Sequence, residues 1–357
     1  MIMRITVIGG GNIGTLMAAE MAHKGHEVTM YTSKPAKWNK EISVLDEGDN
    51  VLMTGMLKHI TYDLAEAVEN AELIWVVVPA EMFIGMGQRI VPLIQTGQMV
   101  GVVPGSGGAE FAFRGVIEKG GILFGLQRVH SIARIEEYGK SVHMLGRKSK
   151  LELGSIPARK SAQLNEIVGE MFDMPCTALP NYLSVTMTPS NPILHTTRLY
   201  AMFKDYNPGT VYPRNFLFYE EWTQLSSEML IACDAELQEL CDVIPLDLHA
   251  VMSLREYYES QTPEAMTRKI SGIKAFKGLT SPMVECEGGW IPDFNSRYFS
   301  TDFPYGLKLI KDLAVVYGVK TPNIDIVWKW YEKFDSKHAA KAFHLECGKE
   351  ELEEMYQ

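Results

Sequence analysis

"RITVIGGGNIGTLMAAEMAHKGHEVTMYTSK", residues 4–34, carries the decision about the fold. Its first five positions form a mostly apolar run, rich in β-branched residues and closed by glycines, as in a strand buried inside a parallel sheet. From Asn12 the apolar residues recur at helical spacing, and Gly25 is placed to stop that helix. "EVTMY" then begins a second strand. Between the first strand and the helix, Gly9, Gly11 and Gly14 satisfy G-x-G-x-x-G. In a strand–turn–helix context the three glycines have separate duties: a tight turn, room for a pyrophosphate against the backbone, and close helix–strand packing. The helix N-terminus adds N–H donors and the positive end of a dipole. Gly9, Gly11, Asn12, Ile13 and Gly14 are therefore assigned to a dinucleotide.

An NAD site carries an acidic residue roughly 20 positions further on, for the ribose hydroxyls. Here that place reads "YTSKPAKW", with Thr32, Ser33 and Lys34 and no carboxylate. Hydroxyls and a lysine suit a 2′-phosphate, so NADP(H) is favoured over NAD(H). Further strands are predicted in "LIWVVVP" from Leu73, "MVGVVPG" from Met99 and "GILFGL" from Gly121, with helical stretches between them. A strand-like "VHMLGRKSKLELGS" and a helix "ARKSAQLNEIVGEMF" complete a first domain over residues 1–181. Strands alternating with helices imply an α/β, Rossmann-type doubly wound parallel sheet. Over residues 182–357 strand signals nearly vanish and long helical periodicities replace them, so the C-terminal domain is predicted to be all-helical. The acidic tail "CGKEELEEMYQ" reads as a solvated helix end.

The 357 residues are 46% hydrophobic and 22% charged, as in ordinary globular chains. A net charge of -10 argues against nucleic acid or an anionic membrane as partner. The longest apolar run is too short to span a bilayer. The five cysteines are scattered without a C-x-x-C pair, which fits reduced thiols and gives no metal site. The first strand begins too early to leave room for a leader, so a cytoplasmic location is expected. A homodimer stays open beside a monomer.

Two stretches beyond the dinucleotide fold carry chemistry. "TPSNPILHTTRLY", residues 188–200, reads as a helix start, with Ser190 or Asn191 as cap and Pro192 in the first turn. His195 would lie in that first turn, where the dipole disfavours the imidazolium. "SRYFSTDFPYGLKLI" puts Arg297 and Asp302 on a turn-like segment before Pro304. Arginine grips a carboxylate bidentately, and an aspartate orients a histidine and favours its cation. Each residue also has a plainer reading: His195 in a core, Asp302 as an N-cap, Arg297 in a surface ion pair. Lys204 in "AMFKDY" is where a reductase needing no amine would carry a catalytic lysine, although a solvated lysine explains it as well; Trp222 or Tyr305 could line a pocket, and His143 and His249 have no partner by spacing.

With these pieces in order along nearly its whole length, the chain resembles the octopine/nopaline (opine) dehydrogenase family. The resemblance rests on "GGGNIG", "SNPILH" ending at His195, "RYFSTDFPYGL" from Arg297 and "GLQRVHSIARI" from Gly125. It implies reductive condensation of an amino acid with a 2-oxo acid through an imine, using NAD(P)H. It implies further that His195 and Asp302 form the acid–base pair and that Arg297 holds the oxo-acid carboxylate. His130 stands where the resemblance leads one to expect proline, and Arg128 beside it is a candidate second carboxylate ligand. The competing expectations are a two-domain NADP-dependent reductase of 2-oxo or hydroxy acids needing no amine, and a non-catalytic NADP(H) sensor.

Overall fold

The computed structural model describes residues 2–357, which divide into two compact units: residues 2–186 with Glu353–Gln357, and Met187–Leu352. The final five residues thus group with the first unit rather than with the helical domain that precedes them in sequence.

With the strands of the described residues numbered in chain order, β1 (Arg4–Ile8), β2 (Glu27–Tyr31), β5 (His59–Thr61), β6 (Leu73–Val76), β7 (Met99–Val102), β8 (Ile122–Leu126), β11 (Leu151–Ile156) and β12 (Cys176–Ala178) of the first unit form one sheet. Their order is β12-β11-β8-β7-β6-β1-β2-β5. Every neighbouring pair is parallel except β8 with β11. The strand order reverses at β1, the first strand, where the chain winds one way to β2 and the other way to β6. That reversal is the switch point where such sheets bind ligands.

Helix α1 (Asn12–His23) packs on this sheet with one side and on a second sheet with the other. The second sheet has the order β4-β3-β10-β9, built from β3 (Glu41–Leu45), β4 (Val51–Met56), β9 (Ser131–Glu137) and β10 (Ser141–Arg147). Pressed from two sides, α1 is buried at nine consecutive positions, Gly14 to Ala22. The packing is tight enough that a Cβ on Gly55 of β4 would stand 2.2 Å from the Ala19 carbonyl oxygen. The stretch read as one strand, "VHMLGRKSKLELGS", divides between the two sheets: β10 ends at Arg147 and β11 begins at Leu151.

The second unit is helical but not wholly so. A hairpin of β13 (Met283–Cys286) and β14 (Gly289–Pro292) interrupts it, turning at Glu287 and Gly288. The helix Gln224–Val243 runs through its centre, started by Thr223, whose hydroxyl accepts from the Ser226 N–H at 3.2 Å. The helices Thr196–Phe203, Pro263–Ser271, Lys308–Tyr317 and Pro322–Phe334 pack against it or its neighbours. Among the described residues, no helix is long and apolar enough to cross a membrane.

Candidate active site

The glycine turn has the form that a dinucleotide requires. Gly9 has φ +113°, and a side chain there would press on the Val77 carbonyl oxygen at 2.3 Å. A Cβ on Gly14 would stand 1.9 Å from the Gly9 carbonyl oxygen, so this glycine lets α1 close on the turn. A Cβ on Gly11 would meet nothing within 4 Å. One glycine serves the turn, one the packing, and one faces open space, which is the division of roles a pyrophosphate site needs. The residues present therefore fit the cofactor. Ile13 is partly buried against the core. The Asn12 side chain turns to the second sheet, where its Oδ1 accepts from the Ile135 N–H at 2.9 Å.

At the end of β2, the Tyr31 carbonyl accepts from the Gly9 N–H at 3.3 Å, which sets this strand end beside the turn. Thr32 is buried, its hydroxyl 3.1 Å from that of Tyr138, while Ser33 and Lys34 are exposed. The Lys34 ammonium lies 6.0 Å from the Tyr138 ring centre. Sequence reasoning missed Arg89. Carried on the helix Phe83–Ile90, it donates to the Tyr31 hydroxyl at 2.5 Å and lies over that ring. Nothing in residues 31–38 signals a cation that arrives from 58 positions away.

The bend after β8 holds Arg128, half-buried, and His130, fully buried. His130 packs against Phe172 with ring centres 4.5 Å apart, and its Nε2 sits 2.5 Å from Glu20 Oε2 on α1. Arg147 donates to the other Glu20 oxygen at 2.7 Å. Burial alone would raise the Glu20 carboxyl, but the bonds and charges of His130 and Arg147 outweigh it and hold the carboxyl below its ordinary range. The histidine found where proline is expected thus anchors this bend to α1.

In the second unit, His195 and Asp302 meet. Asp302 Oδ2 lies 2.8 Å from His195 Nδ1, and both side chains are largely buried. Two wide helical turns bring them together, Ser190–His195 and Tyr298–Leu307. Each contains a proline, Pro192 or Pro304, which has no N–H to give to the helical ladder. In the first, the N–H groups of Ile193 and Leu194 both reach the Pro189 carbonyl, and the Thr196 and Thr197 hydroxyls bond back to the carbonyls of Pro192 and Ile193. The turns pack closely because Gly306 lies against Pro192; a Cβ there would stand 3.1 Å from its ring. His195 therefore closes a wide turn that begins at Ser190, and lies beyond the first helical turn expected for it. Pro189, before that turn, makes no side-chain cap. Asp302 lies within a helical run rather than at its N-cap.

Three aromatic residues complete the setting of the imidazole. Tyr298 covers it at 4.7 Å, Phe218 meets it edge-on at 5.7 Å, and the Tyr219 hydroxyl lies 3.1 Å from Nε2. Tyr219 is buried, which raises its phenol well above the ordinary tyrosine range. Arg198, three residues after His195, is buried too, and it donates to the Phe218 and Glu221 carbonyls at 2.8 Å each. Burial pulls its guanidinium down to about 10, so it keeps its charge at neutral pH. Neither Tyr219 nor Arg198 is signalled by sequence, where "NFLFYEEW" is one aromatic stretch among several.

Arg297 precedes Tyr298 at the start of the second wide turn and is exposed. Lys204 sits at the end of the helix Thr196–Phe203, paired with Asp205 at 2.7 Å on the surface. Trp222 and Tyr305 are buried, donating to Ser227 Oγ and the Lys341 carbonyl. His143 reaches Asp46, Asp49 and Glu136, and His249 reaches Asp247.

Comparison with known proteins gives two family matches. Residues 178–334 match NAD/NADP octopine/nopaline dehydrogenase, alpha-helical domain, and residues 4–113 match NAD-dependent glycerol-3-phosphate dehydrogenase N-terminus. Octopine dehydrogenase of Pecten maximus is 26% identical, over 93% of this chain and 90% of its own. Tauropine dehydrogenase of Arabella iricolor is 25% identical over 93% and 91%. The solved structure of an octopine dehydrogenase with NADH and L-arginine superposes with a TM-score of 0.83 at 25% identity, covering 94% of this chain and 90% of that one.

Proposed function

The chain belongs to the octopine/nopaline (opine) dehydrogenase family, and on that premise we propose that it joins an amino acid to a 2-oxo acid and reduces the resulting imine with NAD(P)H. The observation that carries the reading is the His195–Asp302 pair, 2.8 Å apart and partly shielded from water. Bound on the glycine turn at Gly9, Gly11 and Gly14, the reduced nicotinamide supplies a hydride.

Condensation requires a proton to leave the attacking amine and a proton to reach the departing hydroxyl. Histidine suits both steps, since it gives and takes protons near neutral pH. Asp302 accepts from Nδ1–H, which fixes the tautomer, leaves Nε2 as the working nitrogen, and stabilises the imidazolium when it forms. Arg297, exposed next to the ring that covers His195, supplies a planar fork for the oxo-acid carboxylate. Arg128 is our candidate for a second carboxylate, and Asn12 and Ile13 offer N–H groups at the start of α1. Lys204, paired with Asp205 on the surface, gives no support to a reductase that depends on a catalytic lysine.

The finer assignment of NADP(H) rests on the end of β2, where Ser33, Lys34 and Arg89 supply hydroxyl and cationic groups and no carboxylate stands in residues 31–38. The test of function is NADPH oxidation across a matrix of amino acids and 2-oxo acids, with mass detection of the secondary amine, for the natural chain and for His195→Asn. Turnover should require both substrates, and His195→Asn should lose about 10²–10⁴-fold in kcat and flatten the pH profile. Turnover with the oxo acid alone, or an unchanged profile in the variant, would overturn it.

A further inference from the structure

Both nitrogens of His195 are occupied by protein groups. Nδ1 faces Asp302 at 2.8 Å and Nε2 faces the Tyr219 hydroxyl at 3.1 Å. A ring nitrogen has one in-plane lone pair or one N–H, so direct exchange between Nε2 and a substrate requires Tyr219 to leave. Its surroundings oppose that. The ring stacks on Phe276 at 4.0 Å and lies parallel to Trp222 at 6.3 Å. Its backbone is held from both sides by Arg198, which binds the carbonyls of Phe218 and Glu221 and donates to Ser226 Oγ at 3.2 Å. The Glu221 carboxylate closes the same loop by accepting from the Leu217 N–H at 2.6 Å.

We infer that the proton exchanged between His195 and the substrate passes through the Tyr219 hydroxyl, a reading that rests on the acid–base role proposed for His195. In the acid direction, Nε2–H gives its proton to the phenol oxygen while the phenol's own proton moves to the departing hydroxyl. That hydroxyl leaves as water, the nitrogen lone pair forms the C=N bond, and the imidazole becomes neutral. In the base direction, the amine proton moves to the phenol oxygen as the phenol proton moves to Nε2. The imidazolium so formed is held by Asp302. The phenol begins and ends each transfer neutral, and its burial disfavours a free phenolate.

Tyr219→Phe keeps the ring and its stacking and removes only the relay atom. Its kcat should fall about 10²-fold or more, while both KM values stay within about threefold and unfolding is unchanged. Combined with His195→Asn, it should cost no more than His195→Asn alone, since both interrupt one path. A fully active Tyr219→Phe beside a dead His195→Asn overturns the relay and leaves the histidine assignment standing. If both single variants are active, the histidine assignment itself fails. If Tyr219→Phe lowers the unfolding midpoint, incorporation of fluorotyrosine in place of Tyr219 decides. The more acidic phenol should change kcat with KM unmoved, and an unchanged kcat overturns the relay.

Discussion

Glu110 lies fully buried in the first unit, one carboxyl oxygen accepting from the hydroxyls of Thr186 and Tyr356. Burial pushes its pKa up to about 7, against the smaller opposing effect of those donors. A carboxyl raised in the fold binds a proton that the unfolded chain has already lost. Its contribution to stability is therefore complete below the ordinary carboxylate range, at about 4.5, and is lost as pH rises through about 7. The size is on the order of 3 kcal/mol. Glu110→Gln should remove this slope between pH 5 and 7 and be the more stable protein at pH 8, by urea unfolding at each pH. An unchanged slope would place the titration elsewhere. Such a residue is illegible in sequence, because "GGAEFAF" gives no hint that its glutamate is enclosed. His195 and Asp302 were legible as candidates because the prolines and the aspartate came in specific strings. Tyr219 was not, because its role depends on a hydroxyl position that only the fold of residues 217–221 determines.

The glycine turn was the most legible element, since each of its glycines is required locally by backbone geometry. The second sheet was not: in β4 only Gly55 is buried, so its alternation carries little apolar signal. The wide turns escaped for another reason. "SNPILH" and "STDFPYGL" have the composition of capped helix starts, and their extra width follows from hydrogen bonds redistributed around Pro192 and Pro304. On the proposed reading, the glycine turn assigns folding to Gly14 and binding to Gly11, three positions apart. Gly14→Ala should force helix and turn apart and cost about 1–3 kcal/mol in urea unfolding. Gly11→Ala should leave unfolding unchanged and weaken NADPH binding about tenfold or more, equivalent to ~1.4 kcal/mol. Equal effects of the two would mean that Gly11 does not face the cofactor. At the end of β2, Lys34→Ala with Arg89→Ala should weaken NADPH by about tenfold and NADH little, each group having lost one phosphate contact. Tighter NADH binding by the natural chain would overturn the NADP(H) assignment.

The path of the whole chain was only partly legible: it builds the first unit to Thr186, the second from Met187, and returns to the first with Glu353–Gln357. The sequence "KEELEEMYQ" looks like a solvated end because four of its nine residues are glutamates. Amphipathicity over so short a stretch cannot show which surface its apolar side chains will meet. Tyr356 is 2% exposed, and its hydroxyl donates to Glu110 at 2.8 Å. The tail therefore contributes both an aromatic ring to the packing of the first unit and a donor to its buried carboxyl. Deleting residues 353–357 should lower unfolding free energy by about 3 kcal/mol, from one buried aromatic and one hydrogen bond. Tyr356→Phe keeps the ring and should cost only about 1 kcal/mol at pH 8. It should also raise the pKa of Glu110 further, because a donor that favoured the charged form is gone. The stability slope of Tyr356→Phe should then extend to higher pH than that of the natural chain, whereas Glu110→Gln combined with Tyr356→Phe should show none. A Tyr356→Phe slope that coincides with the natural one would show that the tail does not reach Glu110 in solution.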